Sequence, residues 1–160
     1  MSAERTFQVN SDAVDANGFF DPRYTGDFDN SSPELRWDGA PDEARTFALI
    51  AEDPDAPKGL FTHWVIYNIP AHIRHLPAGI PAQETLPNGI RQGVNNFGKL
   101  GYGGPYPPVG DRPHRYFFRI YALDATLSLP AGAKRAALEA AMNQHVVGKG
   151  ETFGTYRAAP

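Results

Sequence analysis

Residues 62–70 read Thr62-His63-Trp64-Val65-Ile66-Tyr67-Asn68-Ile69-Pro70. Aromatic and β-branched side chains crowd this stretch and a proline ends it, which predicts a β-strand. It carries one histidine, close to its start. Working outward, residues 46–51 (TFALIA) form a second apolar run, closed by Pro54 and Pro57, and predict a buried strand. His114 to Leu123 (HRYFFRIYAL) is the longest candidate. Its aromatics fall on both faces, as in a central strand covered on two sides. Residues 6–9, 35–37 and 153–156 are weaker strand candidates.

One helix is expected, from Lys134 to Val146. Leu138, Ala141, Met142 and Val146 fall at helical spacing, and Gly132 and Gly148 bracket it. Between the strands, residues 98–113 (GKLGYGGPYPPVGDRP) form a long loop dense in glycine and proline. Loops of this length are often functional, and the prolines restrict the backbone.

The chain has 160 residues, which suits a single domain spanning 1–160. It is 41% hydrophobic and 21% charged, a globular composition. With no cysteine, disulfides, thiolate metal sites and a cysteine nucleophile are excluded. The net charge is −3 and no basic run occurs, which argues against nucleic acid as a partner. No stretch of about 18 apolar residues exists to make a transmembrane helix. No apolar leader is seen at the start, so the expected location is cytoplasmic. No cofactor motif is found.

Three stretches hold the unusual polar residues. Asp53-Pro54-Asp55 follows one strand, His63 lies near the start of the next, and His114-Arg115-Tyr116 opens the long one. His114 and Tyr116 share a face if that segment is a strand. If the three strand ends are neighbours, Asp53, His63, His114 and Tyr116 converge on one small cavity. Imidazole N–H and phenol O–H groups donate, and a carboxylate fixes a histidine tautomer. Backbone N–H groups of Gly103 and Gly104 add donors, so the set suits a phosphate-like oxyanion. Taken singly, each signal also has a structural reading: a strand histidine, an Asp-Pro turn, a core tyrosine.

In combination and order, these pieces resemble the phosphatidylethanolamine-binding protein family, in its bacterial and archaeal Raf-kinase-inhibitor-like branch. The matching segments are Ser32 to Trp37, Ala51 to Pro57, Thr62 to Pro70, Asn96-Phe97-Gly98, Gly101 to Pro105, His114-Arg115-Tyr116, Tyr121 to Asp124 and Gly154-Thr155-Tyr156. The resemblance implies a large antiparallel β-sheet packed with a smaller sheet, plus peripheral short helices. It implies a ligand pocket formed by Asp53, Asp55, Phe61, His63, Gly104, Pro105, His114 and Tyr116, with Phe61 where eukaryotic members have tryptophan. Tyr106 stands where relatives often carry cysteine. A cis peptide at Ala56-Pro57 and homodimer formation are implied in the same way. The expected function is a non-enzymatic binding or regulatory protein for a phosphate-containing ligand or phospholipid headgroup, inhibitor-like toward a kinase or protease partner. The alternative is a metal-assisted or acid/base phosphoester hydrolase using His63, His114 and Asp53.

Overall fold

The computed structural model describes residues 5–160. Eight strands are present among them: β1 (Arg5–Asn10), β2 (Leu35–Asp38), β3 (Thr46–Asp53), β4 (Phe61–Pro70), β5 (His75–Leu76), β6 (Arg91–Gln92), β7 (His114–Leu123) and β8 (Val146–Tyr156). One helix, α1 (Arg135–Met142), precedes β8, and two short 3-10 turns lie at Pro22–Tyr24 and Pro87–Gly89. The mainly-β class expected from the sequence is what is found. The strands are hydrogen-bonded in one curled sheet, ordered β5-β2-β1-β8-β7-β3-β4-β6. Every pairing is antiparallel except β1 with β8, which is parallel and joins the two halves.

The sheet separates two apolar clusters. Alternation along β3 sends Phe47, Leu49 and Ala51 to one face and Ala48 and Ile50 to the other. The first cluster gathers Trp37, Trp64, Ile66, Tyr116, Phe118 and Ile120. The second lies under α1, where Leu138 and Met142 meet Ala48, Ile50, Val65 and Tyr67. Both faces of β3 and β4 are covered, which explains why their sequences are apolar without a break. Arg135 at the start of α1 lies 3.0 Å from buried Glu52 and tethers the helix to the sheet.

Two of the sequence-predicted boundaries shift. The helix ends at Met142, not Val146, because Gln144 takes a left-handed backbone (φ 70°) and the chain turns into β8. Strand β8 runs over eleven residues, of which only the last four were expected. Its glycines lower strand propensity, yet close packing requires them. A Cβ on Gly150 would sit 2.5 Å from the Phe7 carbonyl oxygen, and one on Gly148 2.8 Å from Pro41.

The Ala56-Pro57 peptide is trans, since no cis bond occurs among the described residues. The turn closes without one. Asp55 N–H donates to the Asp53 carboxylate (2.7 Å), and Gly59, at φ 102°, donates to the Ala56 carbonyl (3.0 Å). A trans bond costs nothing here, so the ordinary X–Pro preference stands.

Candidate functional site

Strands β3, β4 and β7 lie side by side, and the end of β3 meets the starts of β4 and β7. A cavity of about 150 Å³ opens there, lined by Asp53, Phe61, His63, Phe97, His114 and Tyr116. Ala56, Pro57 and the loop residues Tyr106, Pro107 and Pro108 complete its wall. Five of the eight residues singled out from the sequence thus meet at one place.

His63 reaches the cavity through a backbone irregularity. Ala51 pairs with Trp64 and Glu52 pairs with Thr62, so His63 is the extra residue of a β-bulge. Without the bulge, His63 and Trp64 would face opposite sides of the sheet. With it, Trp64 packs in the first cluster and the His63 ring lies 5.4 Å from the Tyr116 ring, on that same face. Bulges re-aim side chains in this way next to functional sites. The His63 ring is also flanked by Phe61 (4.8 Å) and Phe97 (5.6 Å).

The protonation pattern follows from the partners. Nδ1 of His63 donates to the Gly103 carbonyl at 2.6 Å, so Nε2 is the nitrogen left for the cavity. Burial pushes the pKa of His63 down to about 4, against weaker support for the charged form from Gly103 and Asp53. His114 has both ring nitrogens engaged. Nδ1 lies 2.7 Å from Asp53 Oδ2 and Nε2 lies 3.1 Å from Asp111 Oδ2. A neutral imidazole has one N–H, so two such hydrogen bonds require one further proton, on the ring or on a carboxyl. Tyr116 is buried, and that burial raises its pKa, so its hydroxyl keeps its proton.

Depression of the His63 pKa from 6.5 to about 4 couples folding to pH. Above pH 6.5 the ring is neutral in both folded and unfolded chains, and its contribution is fully present. As pH falls from 6.5 towards 4, the unfolded chain takes up the proton first and stability drops, by about 3 kcal/mol for this group. Urea unfolding across that window is expected to show a shallower acid-side loss in His63→Phe than in the parent chain. Parallel curves would remove this assignment.

Three expected site residues lie elsewhere. Asp55 faces away and clamps Arg115, accepting from its backbone N–H (2.9 Å), Nε (2.9 Å) and Nη2 (3.0 Å). That hydrogen bonding to Arg115 holds the Asp55 carboxyl below its usual pKa. Gly104 lines a neighbouring cleft beyond Tyr106, and the Pro105 carbonyl accepts from Gly26 (2.7 Å). The backbone donors expected of this loop are already used. Gly103 N–H donates to the His63 carbonyl (2.9 Å) and Gly104 N–H to the Asn30 side chain (2.7 Å). Gly104 is required for another reason: a Cβ there would sit 2.3 Å from the Tyr24 carbonyl oxygen.

Sequence reading missed Asp111 and Phe97 as parts of this site. Asp111 precedes His114 by three residues in the Gly110-Asp111-Arg112-Pro113 segment. A carboxylate so close to a candidate histidine was the available signal, but the fold of a proline-rich loop has no periodicity to read.

The fold and this pocket define a curled-sheet binding scaffold with a small histidine- and aspartate-lined cavity at its strand ends. The family model for phosphatidylethanolamine-binding protein matches residues 10–157, and the chain belongs to that family. It is 49% identical over 145 residues to a UPF0098 protein of Methanothermobacter thermautotrophicus, covering 91% of this chain and 95% of that one. Identity to a UPF0098 protein of Aquifex aeolicus is 44%, over 84% of this chain and 78% of that one. Among solved structures, the phosphatidylethanolamine-binding protein homologue CT736 from Chlamydia trachomatis superposes with a TM-score of 0.86 at 34% identity. That alignment covers 98% of this chain and 100% of the other. YbcL of Escherichia coli gives a TM-score of 0.86 at 32% identity, over 96% and 99% of the two chains.

Proposed function

We propose that this chain is a non-enzymatic binding protein that takes a small phosphate-type group, free or as a phospholipid headgroup, in the cavity at the ends of β3, β4 and β7. The observation that carries this reading is the convergence of His63, His114, Tyr116 and Asp53 on a space of about 150 Å³. That space is well below the roughly 300–1,000 Å³ of pockets for drug-sized ligands. It suits a tetrahedral oxyanion with a small substituent, and an acyl chain would have to lie outside it.

The hydrolase alternative is less well supported. Both nitrogens of His114 face carboxylates and Nδ1 of His63 faces a carbonyl, which leaves a single ring nitrogen between the two histidines for a metal or for proton transfer. Action on a kinase or protease partner, which the family likeness suggests, would use the exposed rim of the cavity, where Phe97 and Tyr106 stand out into solvent. Among the described residues no helix is long and apolar enough to cross a membrane.

Titration of ¹⁵N-labelled protein with inorganic phosphate and with phosphoethanolamine tests the reading. Saturable shifts are expected at Asp53, His63, His114 and Tyr116. Shifts scattered over the surface, or none, would sink it.

A further inference from the structure

We infer that the cavity selects singly protonated phosphomonoesters over phosphodiesters and over phosphomonoester dianions, because its one unengaged buried ring nitrogen is a hydrogen-bond acceptor. The inference rests on the phosphate-binding reading and narrows it to one ligand class.

The cavity's donors and acceptors are few enough to count. His63 is 5% exposed. Its Nδ1 faces a carbonyl oxygen, which only accepts, so Nδ1 carries the ring proton. Burial opposes a second proton, and Nε2 therefore presents a lone pair. His114 offers no free N–H, because Asp53 and Asp111 take both of its nitrogens. The Gly103 and Gly104 amides are engaged inside the protein. The Tyr116 hydroxyl remains on the cavity wall as a donor. A ligand that satisfies this wall must donate to His63 and accept from Tyr116.

A singly protonated phosphomonoester does both. Its P–OH donates to Nε2, and an anionic oxygen accepts from the tyrosine. A dianion has no proton to give and would set a negative oxygen against the Nε2 lone pair. A diester, the linkage that holds a headgroup in an intact phospholipid, lacks the proton at any pH near neutrality.

Charge works in the same direction. The groups facing His63 are Asp53 from β3, His114 and Tyr116 from β7, Phe61 from its own strand and Phe97 from the loop after β6. Asp111 stands behind His114, and Asp55 with Arg115 forms a neutral pair outside. With the extra proton that makes both His114 contacts hydrogen bonds, the Asp53–His114–Asp111 group carries one net negative charge. A second negative charge on the ligand is therefore costlier than the first.

The second ionisation of a phosphomonoester lies near pH 6, so the two ligand forms can be exchanged without unfolding the chain. The test uses ¹⁵N-labelled protein and three small probes: methyl phosphate, dimethyl phosphate and methyl sulfate. Methyl sulfate matches the size and charge of the methyl phosphate monoanion and lacks its proton. Methyl phosphate is expected to bind at about pH 5.5 and to weaken about tenfold per pH unit above about pH 6. The other two are expected to give no saturable shifts at His63 and Tyr116. If methyl sulfate or dimethyl phosphate binds within threefold of methyl phosphate, the selection is wrong while the pocket stands. The selection is equally wrong if methyl phosphate affinity is flat or rises above about pH 6. If no probe shifts these residues at any pH, the pocket reading fails and the selection fails with it.

Discussion

His63→Phe is expected to weaken phosphate binding by about 10- to 100-fold at mildly acid pH. The substitution keeps an aromatic ring between Phe61, Phe97 and Tyr116, where the His63 ring already meets Phe97 and Tyr116 edge to face and Phe61 at a tilt. It removes Nε2, the acceptor offered to the ligand, and Nδ1, which holds the Gly103 carbonyl at 2.6 Å. Losing a hydrogen bond to a charged partner costs about 1.5–3 kcal/mol, and that sets the range. Calorimetry with inorganic phosphate reads the effect directly, with circular dichroism to show that the variant is folded. Gly103 N–H still donates to the backbone carbonyl of residue 63, so Gly103 keeps one of its two ties to β4. A folded variant that binds within threefold of the parent would show that His63 is a packing residue and not part of the recognition surface.

Trp64→Ala is expected to produce the larger change in stability, a loss of about 5 kcal/mol. Trp64 is completely buried, packs edge-on against Tyr102 at 5.5 Å, and donates from Nε1 to Gln92 Oε1 at 2.8 Å. Removal of a buried tryptophan costs about 3–5 kcal/mol from lost contacts and the cavity left behind. Gln92 would then lose the donor to its buried oxygen, which adds roughly 1–3 kcal/mol. Gln92 is itself a junction: its amide nitrogen donates to the carbonyls of Pro81 (2.8 Å) and Gln83 (2.9 Å), holding the loop before β6. For a chain of this size the midpoint of thermal unfolding should fall by roughly 10–20 °C. Trp64→Phe, which fills much of the volume and lacks the N–H, should fall by less than half as much. Equal losses in the two variants would mean that the hydrogen bond to Gln92, and not volume, dominates.

The two variants act on adjacent residues with separable outcomes. His63 borders the cavity and Trp64 fills the core, yet the bulge places both on the same side of the sheet. A stability loss in His63→Phe near pH 7 as large as that of Trp64→Ala would mean that the site and the core are one packing unit.

Much of the architecture was legible in the chain itself. The runs at residues 46–51, 62–69 and 114–123 became β3, β4 and β7, because apolar and β-branched side chains at that density have no other way to bury both faces. The motif order and the chemistry of Asp53, His63, His114 and Tyr116 were also readable, since imidazole, phenol and carboxylate are unusual at apolar strand ends. Strand β8 was mostly hidden, because Gly148, Gly150 and Gly154 erase the propensity signal. Their need comes from neighbours distant in sequence: Pro41, Phe7 and Phe20.

What the sequence could not decide is which way the polar groups point and what they touch. Strict alternation puts His63 on the face opposite Trp64, and the bulge that reverses this depends on the pairing with Ala51 and Glu52. Asp55 looked like a partner of Asp53, but Arg115, sixty residues later, captures it. The amides of Gly103 and Gly104 looked free, but the carbonyl of His63 and the side chain of Asn30 take them. Asp111 was overlooked, and it is the second carboxylate on His114. Residue types and periodicity therefore determined the scaffold and the reactive groups. The donor and acceptor state of the cavity was settled only in three dimensions, because most of its hydrogen-bonding atoms are taken by partners far away in the chain and only His63 Nε2 and the Tyr116 hydroxyl are left over.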